Sequence, residues 1–483
     1  MALEQALEYL SKHRDEFLSE WKELVAIPSV STEPERTPDV ERAAGWLRER
    51  MDRYGAAQSR VIPTKGHPLV WAEFPAAAKD APTILLYGHY DVQPVDPIEL
   101  WETDPFEPTE RGGRLYARGA SDMKGQVMAT LLAVRSAVQS GELPVTVRVL
   151  LEGEEEVGSP SLAAALEEHA ELFRADVCIN PDTGMISPEQ PSIRYGLRGL
   201  AYFELTVRGP VRDLHSGSFG GVVHNPAQAI AELVAGMHDA NGTVTLPGFY
   251  DKVRPVDATE RERLSRVPVT NEDILTLTGV PELWGEPDYT VVERTGARPT
   301  LEINGIWGGY TGAGSKTVIP AKAHAKISMR LVPDQEPGDV RAQLEAYLKA
   351  HAPATVTWEL TELAGGEAFI CDPDSPAHNA FAAALEAVWG RAPILARIGG
   401  SVPVASEVEK LLGMPSILTG FALPDDQVHS PNESQHIDNW YRGIEAVTRF
   451  LYGYAKAQWS YCRDPAVRRT LAATDRTARP QQF

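Results

Sequence analysis

Residues 83–94 read "TILLYGHYDVQP". Thr83 to Tyr87 form a short apolar run rich in β-formers, which reads as a buried strand. The run then meets His89, with Asp91 two positions on and Pro94 as a stop. Packing alone gives a buried strand no reason to end on His-x-Asp, so the reading turns on whether other strands end alike. Two do. "VTVRVLLEG" (145–153) runs into "EGEEEVGS" (152–159), which carries Glu154, Glu155 and Glu156. "DVCIN" (176–180) runs into "NPDTG", which carries Asp182.

Apolar positions have helical spacing over 2–25 and 39–54, and again in "GQVMATLLAVRSAVQ" (125–139) and "SLAAALEEHAELF" (161–173). Continuous apolar strands alternating with helices predict an α/β fold with a largely parallel sheet covered by helices. The texture changes near residue 197. "LAYFELTVRG" (200–209) alternates, with Ala201, Phe203, Leu205 and Val207 on one face, and "AHAKISMRLV" (323–332) alternates too. "ATVTWELTEL" (354–363) is also β-rich, and 226–238 and 338–350 have helical spacing. Alternation implies one covered and one exposed face, as in an antiparallel sheet with helices on one side. Residues 240–300, rich in Pro, Gly and Asp, read as a long excursion of loops. Helix and apolar-strand texture returns from about 365, at 377–389, 415–420 and 441–458. The expected organisation is a metal-binding α/β domain, 1–196 plus 365–483, interrupted by a smaller α+β domain, 197–364.

A chain of 483 residues exceeds one ordinary core, which agrees with two domains. Apolar residues make up 43% and charged residues 23%, the profile of a globular protein. The net charge of −21 repels nucleic acid and anionic membrane, so neither is an expected partner. Cys178, Cys371 and Cys462 share no CxxC spacing and read as free thiols in a reducing, cytoplasmic setting. The N-terminal stretch "MALEQALEYLSKHRDEF" has no apolar core of a secretory signal, and no run is long enough to span a bilayer.

In open α/β sheets functional groups gather beyond the carboxyl ends of the strands. Two further residues belong with this set: Asp122 in "RGASDMKG", just before a helix, and His429 in the polar stretch "QVHSPNE". Each has an ordinary explanation alone: an N-cap for Asp122, a solvated face for the acidic triplet, a structural loop histidine for His429. Together they give two histidines and at least three carboxylates. That mixed N/O donor set suits Zn²⁺, Mn²⁺ or Co²⁺ and is too large for one tetrahedral ion. Two ions sharing a carboxylate, about 3.5–4 Å apart, fit it better.

"YGHYDVQP", "RGASDMKG", "EGEEEVGS", "RDLHSGSFGG", "GSKTVIP", "SMRLVPD", "GGSVPV" and "HSPNE" follow one another as in the M20 metallopeptidases, and the chain resembles the dipeptidase branch of that family from about residue 15 to 455. The resemblance implies His89 and Asp182 on one metal, Glu156 and His429 on the other, and Asp122 bridging. It implies Asp91 as the partner that orients His89, and Glu155 as general base, with Glu154 on the variable position before the matched Glu155–Glu156 pair. In the smaller domain it implies His215 as an oxyanion donor reaching a neighbouring subunit's site and Arg330 as the binder of the substrate carboxylate. Thr317 and Ser401 match further substrate contacts. By composition alone, His215 reads as a buried or loop histidine without a catalytic role, and Arg330 as a solvated cation. The expectation is a homodimer, joined through the inserted domain, that hydrolyses dipeptides or other short peptides with a free C-terminal carboxylate. The alternatives are an amidohydrolase of N-acyl or N-carbamoyl amino acids, and a non-catalytic binding protein on the same scaffold. The latter predicts loss of the base or a ligand, and the sequence retains all of them.

Overall fold

The computed structural model describes residues 2–400 and 403–463. The chain packs as two units. The first comprises residues up to Tyr195, Cys371–Ile394 and the chain from Glu407; the second comprises Gly196–Ile370 and Leu395–Ser406. The stretch Leu395–Ser406 thus differs from the sequence expectation, which left it with the first unit. Its Arg397 ion-pairs with Glu260 of the second unit at 3.2 Å.

The strands that position the site are β1 (Gln58–Ile62), β2 (Leu69–Phe74), β3 (Thr83–His89), β4 (Thr146–Glu152), β5 (Val177–Asn180), β6 (Ser192–Leu197), β7 (Gly199–Arg208), β8 (Thr300–Gly308), β9 (Lys322–Leu331), β10 (Thr357–Gly366) and β11 (Ser416–Leu418). In the first unit the order is β1-β2-β4-β3-β5-β11-β6. The central four, β4-β3-β5-β11, are parallel, whereas β1, β2 and β6 join antiparallel. The sheet is therefore mixed, with a parallel centre. The centre is where the apolar runs are continuous: Ile84, Leu85, Leu86 and Tyr87 are all buried, as both faces must be when helices cover them. The helix Lys124–Gln139 lies tight on β3, where a Cβ at Gly88 would sit 2.7 Å from Val127 Cγ2. That close approach explains a glycine one residue before His89 in an otherwise branched strand.

The second unit carries the antiparallel sheet β8-β9-β7-β10. Ala201, Phe203, Leu205 and Val207 are buried, and so are Ala323, Ala325, Ile327, Met329 and Leu331 on β9. The helices Pro226–Ala235 and Pro337–His351 cover that face through Ile230, Leu233, Leu344 and Leu348. The other face keeps the polar positions of the alternation. The excursion read as loops contains three short helices, Ala258–Leu264, Asn271–Thr278 and Val291–Gly296. The last two open on capping boxes, Thr270 with Asp273 and Thr290 with Glu293, whose local hydrogen bonds hold helices too short to persist on propensity. No described helix is long and apolar enough to cross a membrane.

Candidate active site

Parallel register brings the polar strand ends together. His89, the last residue of β3, pairs with Glu152, the last of β4. Leu86 pairs with Ile179, so His89 and Asp182, each three residues on, leave the sheet at one level. His89 Nε2 lies 3.1 Å from Asp122 Oδ1 and 3.9 Å from Asp182 Oδ1. His429 Nε2 lies 2.8 Å from Asp122 Oδ2 and 3.4 Å from Glu156 Oε2. Potential ligand atoms of His89, Asp122 and Asp182 fall within 4.8 Å of one another, and so do those of Asp122, Glu156 and His429. The two sets share only Asp122, whose two oxygens face the two histidines.

Electrostatics show how much positive charge this cluster draws. Burial works against protonation of His89, but hydrogen bonds to Asp122 and Asp91 outweigh it and raise its pKa well above the usual range. Asp122 and Glu156 push His429 up to about 10. Burial, with Asp122, Glu155 and Glu156 nearby, raises the Asp182 carboxyl well above its usual range despite His89. Without a cation the cluster holds protons, and a divalent ion replaces such protons when it binds. Glu156 supplies a further test of fit. Gln93 Nε2 donates to its Oε2 at 2.7 Å, while its Oε1 is buried with no hydrogen-bond partner. A buried carboxylate oxygen left so is costly unless a cation faces it. The residues present therefore fit a pair of divalent ions.

Around this cluster stand carboxylates that act on backbone. His89 Nδ1 is 3.1 Å from the Asp91 carbonyl and 3.5 Å from its Oδ1. The Asp91 carboxylate also accepts the amides of Glu155 and Glu156, at 3.3 and 3.1 Å. It thus ties the imidazole of β3 to the turn carrying the acidic pair. Glu155 sits half-buried in that turn, its pKa raised first by burial and then by Glu156, Asp122 and Asp91 against the pull of His89. Glu154 is buried and turned elsewhere: its Oε1 accepts the His67 amide at 3.0 Å.

Two residues that the sequence reading passed over complete the support. Glu433, fully buried, accepts the amides of Gly119, Ser121 and Asp122 at 3.0, 2.9 and 3.0 Å, and Arg118 Nη1 at 2.6 Å. Asp426 accepts Ser121 Oγ at 2.7 Å and Arg114 Nη1 at 2.7 Å. Both therefore set the segment that delivers Asp122. Glu433 closes the quoted stretch "HSPNE", and Gln93 lies within "HYDVQP", so the motifs held the signal. His429 has φ 61°, with Gln427 at 56° and Asn432 at 64°. Such left-handed residues cost about 1–3 kcal/mol each and persist where the surroundings impose them. Here Asn432 bonds Leu100 O and the Glu102 amide, each at 2.8 Å.

In the second unit His215 Nδ1 accepts the Gly217 amide at 3.0 Å. This contact makes Nδ1 the acceptor, so a neutral ring carries its proton on Nε2. Thr317 Oγ1 stands 3.5 Å from that nitrogen, and both residues are exposed. Arg330 lies half-buried at the end of β9, paired across the sheet with Thr300 and Leu200. Ser401 lies outside the described residues.

The sequence matches Peptidase family M20/M25/M40 over residues 85–453. It is 32% identical over 479 residues to the Cys-Gly metallodipeptidase dug1 of Schizosaccharomyces pombe, covering 94% of this chain and 99% of that protein. It is 31% identical to the Beta-Ala-His dipeptidase of Homo sapiens, covering 94% and 93%. Among solved structures, an M20 family metallo-carboxypeptidase, Sso-CP2 from Sulfolobus solfataricus, superposes with a TM-score of 0.80 at 34% identity, covering 91% of this chain and 99% of that one.

Proposed function

The chain belongs to peptidase family M20/M25/M40 and is a metallopeptidase, and on that premise we propose that it hydrolyses dipeptides and other short peptides with a free C-terminal carboxylate. The observation that carries this reading is the pair of three-residue donor sets meeting at Asp122. His89 and Asp182 would hold one divalent ion, Glu156 and His429 the other, and Asp122 both. Zn²⁺ is the first choice for this donor set, with Mn²⁺ or Co²⁺ as substitutes. Bound there, the ions supply Lewis acidity toward the scissile carbonyl and an acidified water.

The chain's own residues do the rest. The Glu155 carboxylate takes the proton of the attacking water and returns it to the leaving amine nitrogen. Burial and its acidic neighbours raise its pKa, the direction that favours holding the proton between the two transfers. Asp91 fixes Glu155 and Glu156 through their amides, so base and ligand move as one. His215 offers its Nε2 proton to the developing oxyanion. Arg330 receives the substrate carboxylate with its planar fork. We further propose that His215 serves the site of a second copy, the dimer forming through the second unit. Supporting this, β8 pairs on one side only among the described strands, and Ile306, Trp307 and Tyr310 on and beyond it are exposed.

A second reading is a carboxypeptidase acting on longer peptides, favoured by the similarity to Sso-CP2. The test is a panel of dipeptides, β-alanyl peptides, tripeptides and N-acyl amino acids, assayed with Zn²⁺, Mn²⁺ and Co²⁺. Dipeptides should lead. Faster release from tripeptides would favour the carboxypeptidase reading, and turnover confined to N-acyl amino acids would overturn both.

A further inference from the structure

Three buried polar groups without hydrogen-bond partners lie around the end of β11, in the first unit: Arg194 Nε, Asn180 Nδ2 and Thr183 Oγ1. Register brings the first two together. Leu418 of β11 pairs with Asn180 of β5 on one side and with Arg194 of β6 on the other, so the three side chains stand at one level on one face of the sheet. Backbone bonds bring the third. The Thr183 amide donates to the carbonyl of Thr419, next to Leu418, at 3.0 Å, and the following carbonyl, of Gly184, accepts Arg194 Nη2 at 3.4 Å. Arg194 also carries a charge that no neighbour balances. In the same unit Glu433 holds Arg118 at 2.6 Å and Asp426 holds Arg114 at 2.7 Å. Arg194 has no carboxylate partner among the described residues, and burial alone lowers its pKa to about 10.

A buried guanidinium without a counter-charge is costly, and donors buried beside it without partners add to the cost. A small anion offsets both, because it brings the missing charge and accepts from several donors at once. We infer that Arg194, Asn180 and Thr183 form a site for a small monoanion, of the size of chloride or formate, and that its occupancy steadies the turn carrying Asp182. The link is the fully buried Asn180 carboxamide: its Oδ1 accepts the Asp182 amide at 3.0 Å, which leaves Nδ2 to donate to the anion. An anion that fixes the carboxamide fixes that amide as well, so anion and metal should each tighten the binding of the other. The coupling rests on Asp182 as a metal ligand; the anion site itself stands without that reading.

The experiment unfolds the full chain thermally in sodium chloride, sodium formate or sodium gluconate at one ionic strength, with bulky gluconate as the reference. Metal affinity is read in the same buffers by competitive chelator titration. Chloride and formate should raise the Tm of the wild type by about 2–4 °C. They should also tighten metal binding about fivefold or more. Both effects should vanish in Arg194→Gln, which removes the charge, and persist in weaker form in Arg194→Lys, which keeps it. An unchanged Tm in the wild type overturns the proposal. So does an equal rise in Arg194→Gln, which would assign the anion to the metal ions or to the general surface. A rise in Tm with no change in metal affinity overturns the coupling through Asn180. If no metal binds at all, the metal reading fails, and the thermal series still decides the anion site. Should Arg194→Gln fail to fold, anomalous scattering from bromide-soaked crystals of the wild type decides instead. Bromide within hydrogen-bonding reach of Arg194 and Asn180 Nδ2 sustains the site, and no bromide there refutes it.

Discussion

In the first unit the chemistry-bearing side chains sit at the carboxyl ends of parallel strands, mostly buried, each within reach of the next. His89 is 1% exposed at its side chain and Glu156 3%. In the second unit His215 is exposed on a short ladder, Thr317 is exposed just before the ladder's partner strand, and Arg330 lies near the end of an antiparallel strand. The difference follows from the two sheets. A parallel sheet covered on both faces sends all its strand ends one way, so groups distant in sequence converge without extra design. An antiparallel sheet alternates direction, so neighbouring ends point apart. The first unit can thus gather a multi-ligand cluster from its own chain, while the groups proposed for the second stand singly.

The largest effect should separate the units completely. Exhaustive chelation, verified by elemental analysis, should reduce turnover to background, and a divalent transition metal should restore it. Full turnover by verified apoprotein would remove the first unit's centre from the reaction. Next, Glu155→Gln should lose about 10²–10⁴-fold in kcat while keeping its metal. Glu154→Gln should stay near wild type, since an amide oxygen can still accept from His67. The reverse pattern would shift the acidic register by one.

His215→Ala should cost about 10²–10³-fold in kcat, the scale of a lost oxyanion donor. Mixing it with Glu155→Ala under subunit exchange tests whether the units cooperate between copies. In a mixed two-fold dimer one site regains both groups and the other has neither. Random pairing then restores about a quarter of wild-type activity. No recovery despite proven exchange would place His215 in its own chain's site.

A smaller change is expected behind the centre. Glu433→Gln removes the charge that holds Arg118 and three amides, and should weaken metal affinity about 10–100-fold, read by competitive chelator titration. Unchanged affinity would show that the Asp122 segment holds its shape unaided.

The least effect on activity is expected at His378, a buried histidine of the first unit whose ring contacts Cys371 Sγ at 3.2 Å and Ser375 Oγ at 2.9 Å. Burial lowers its pKa to about 4, against the opposing pull of Asp372 and Asp374. The unfolded chain therefore binds this proton more readily. The stabilisation is complete above about pH 6.5 and is lost as pH falls toward 4, about 3 kcal/mol in all. Urea unfolding of His378→Gln should show a flatter pH dependence than wild type across that window. Parallel curves would assign the acid sensitivity to other groups.

Sequence alone was enough for whatever repeats with a short period or ends a strand. The apolar runs of β3, β4 and β5 predicted a covered parallel sheet, and that is its centre. The alternation in β7 and β9 predicted one buried face, and Ala201 to Val207 occupy it. His89, Asp122, Asp182, Glu156 and His429 could be singled out because each breaks an expected pattern or lies in a specific motif. Tertiary structure alone decided the rest. The antiparallel β1 and β2 depend on partners far along the chain, and no local period shows which edge they join. The short helices of 258–296 escaped a periodicity reading because capping hydrogen bonds, rather than an apolar stripe, define them. The role of Glu433 is set by four donors more than 300 positions away. An arginine-lined cavity is likewise invisible in a string of letters, because Arg198, Arg294, Arg298 and Arg330 line one hollow only once the second unit has folded. Local sequence encodes which side chains are out of place. Long-range pairing and burial determine which of them meet, and the free energy of removing their charges from water determines what they need when they do.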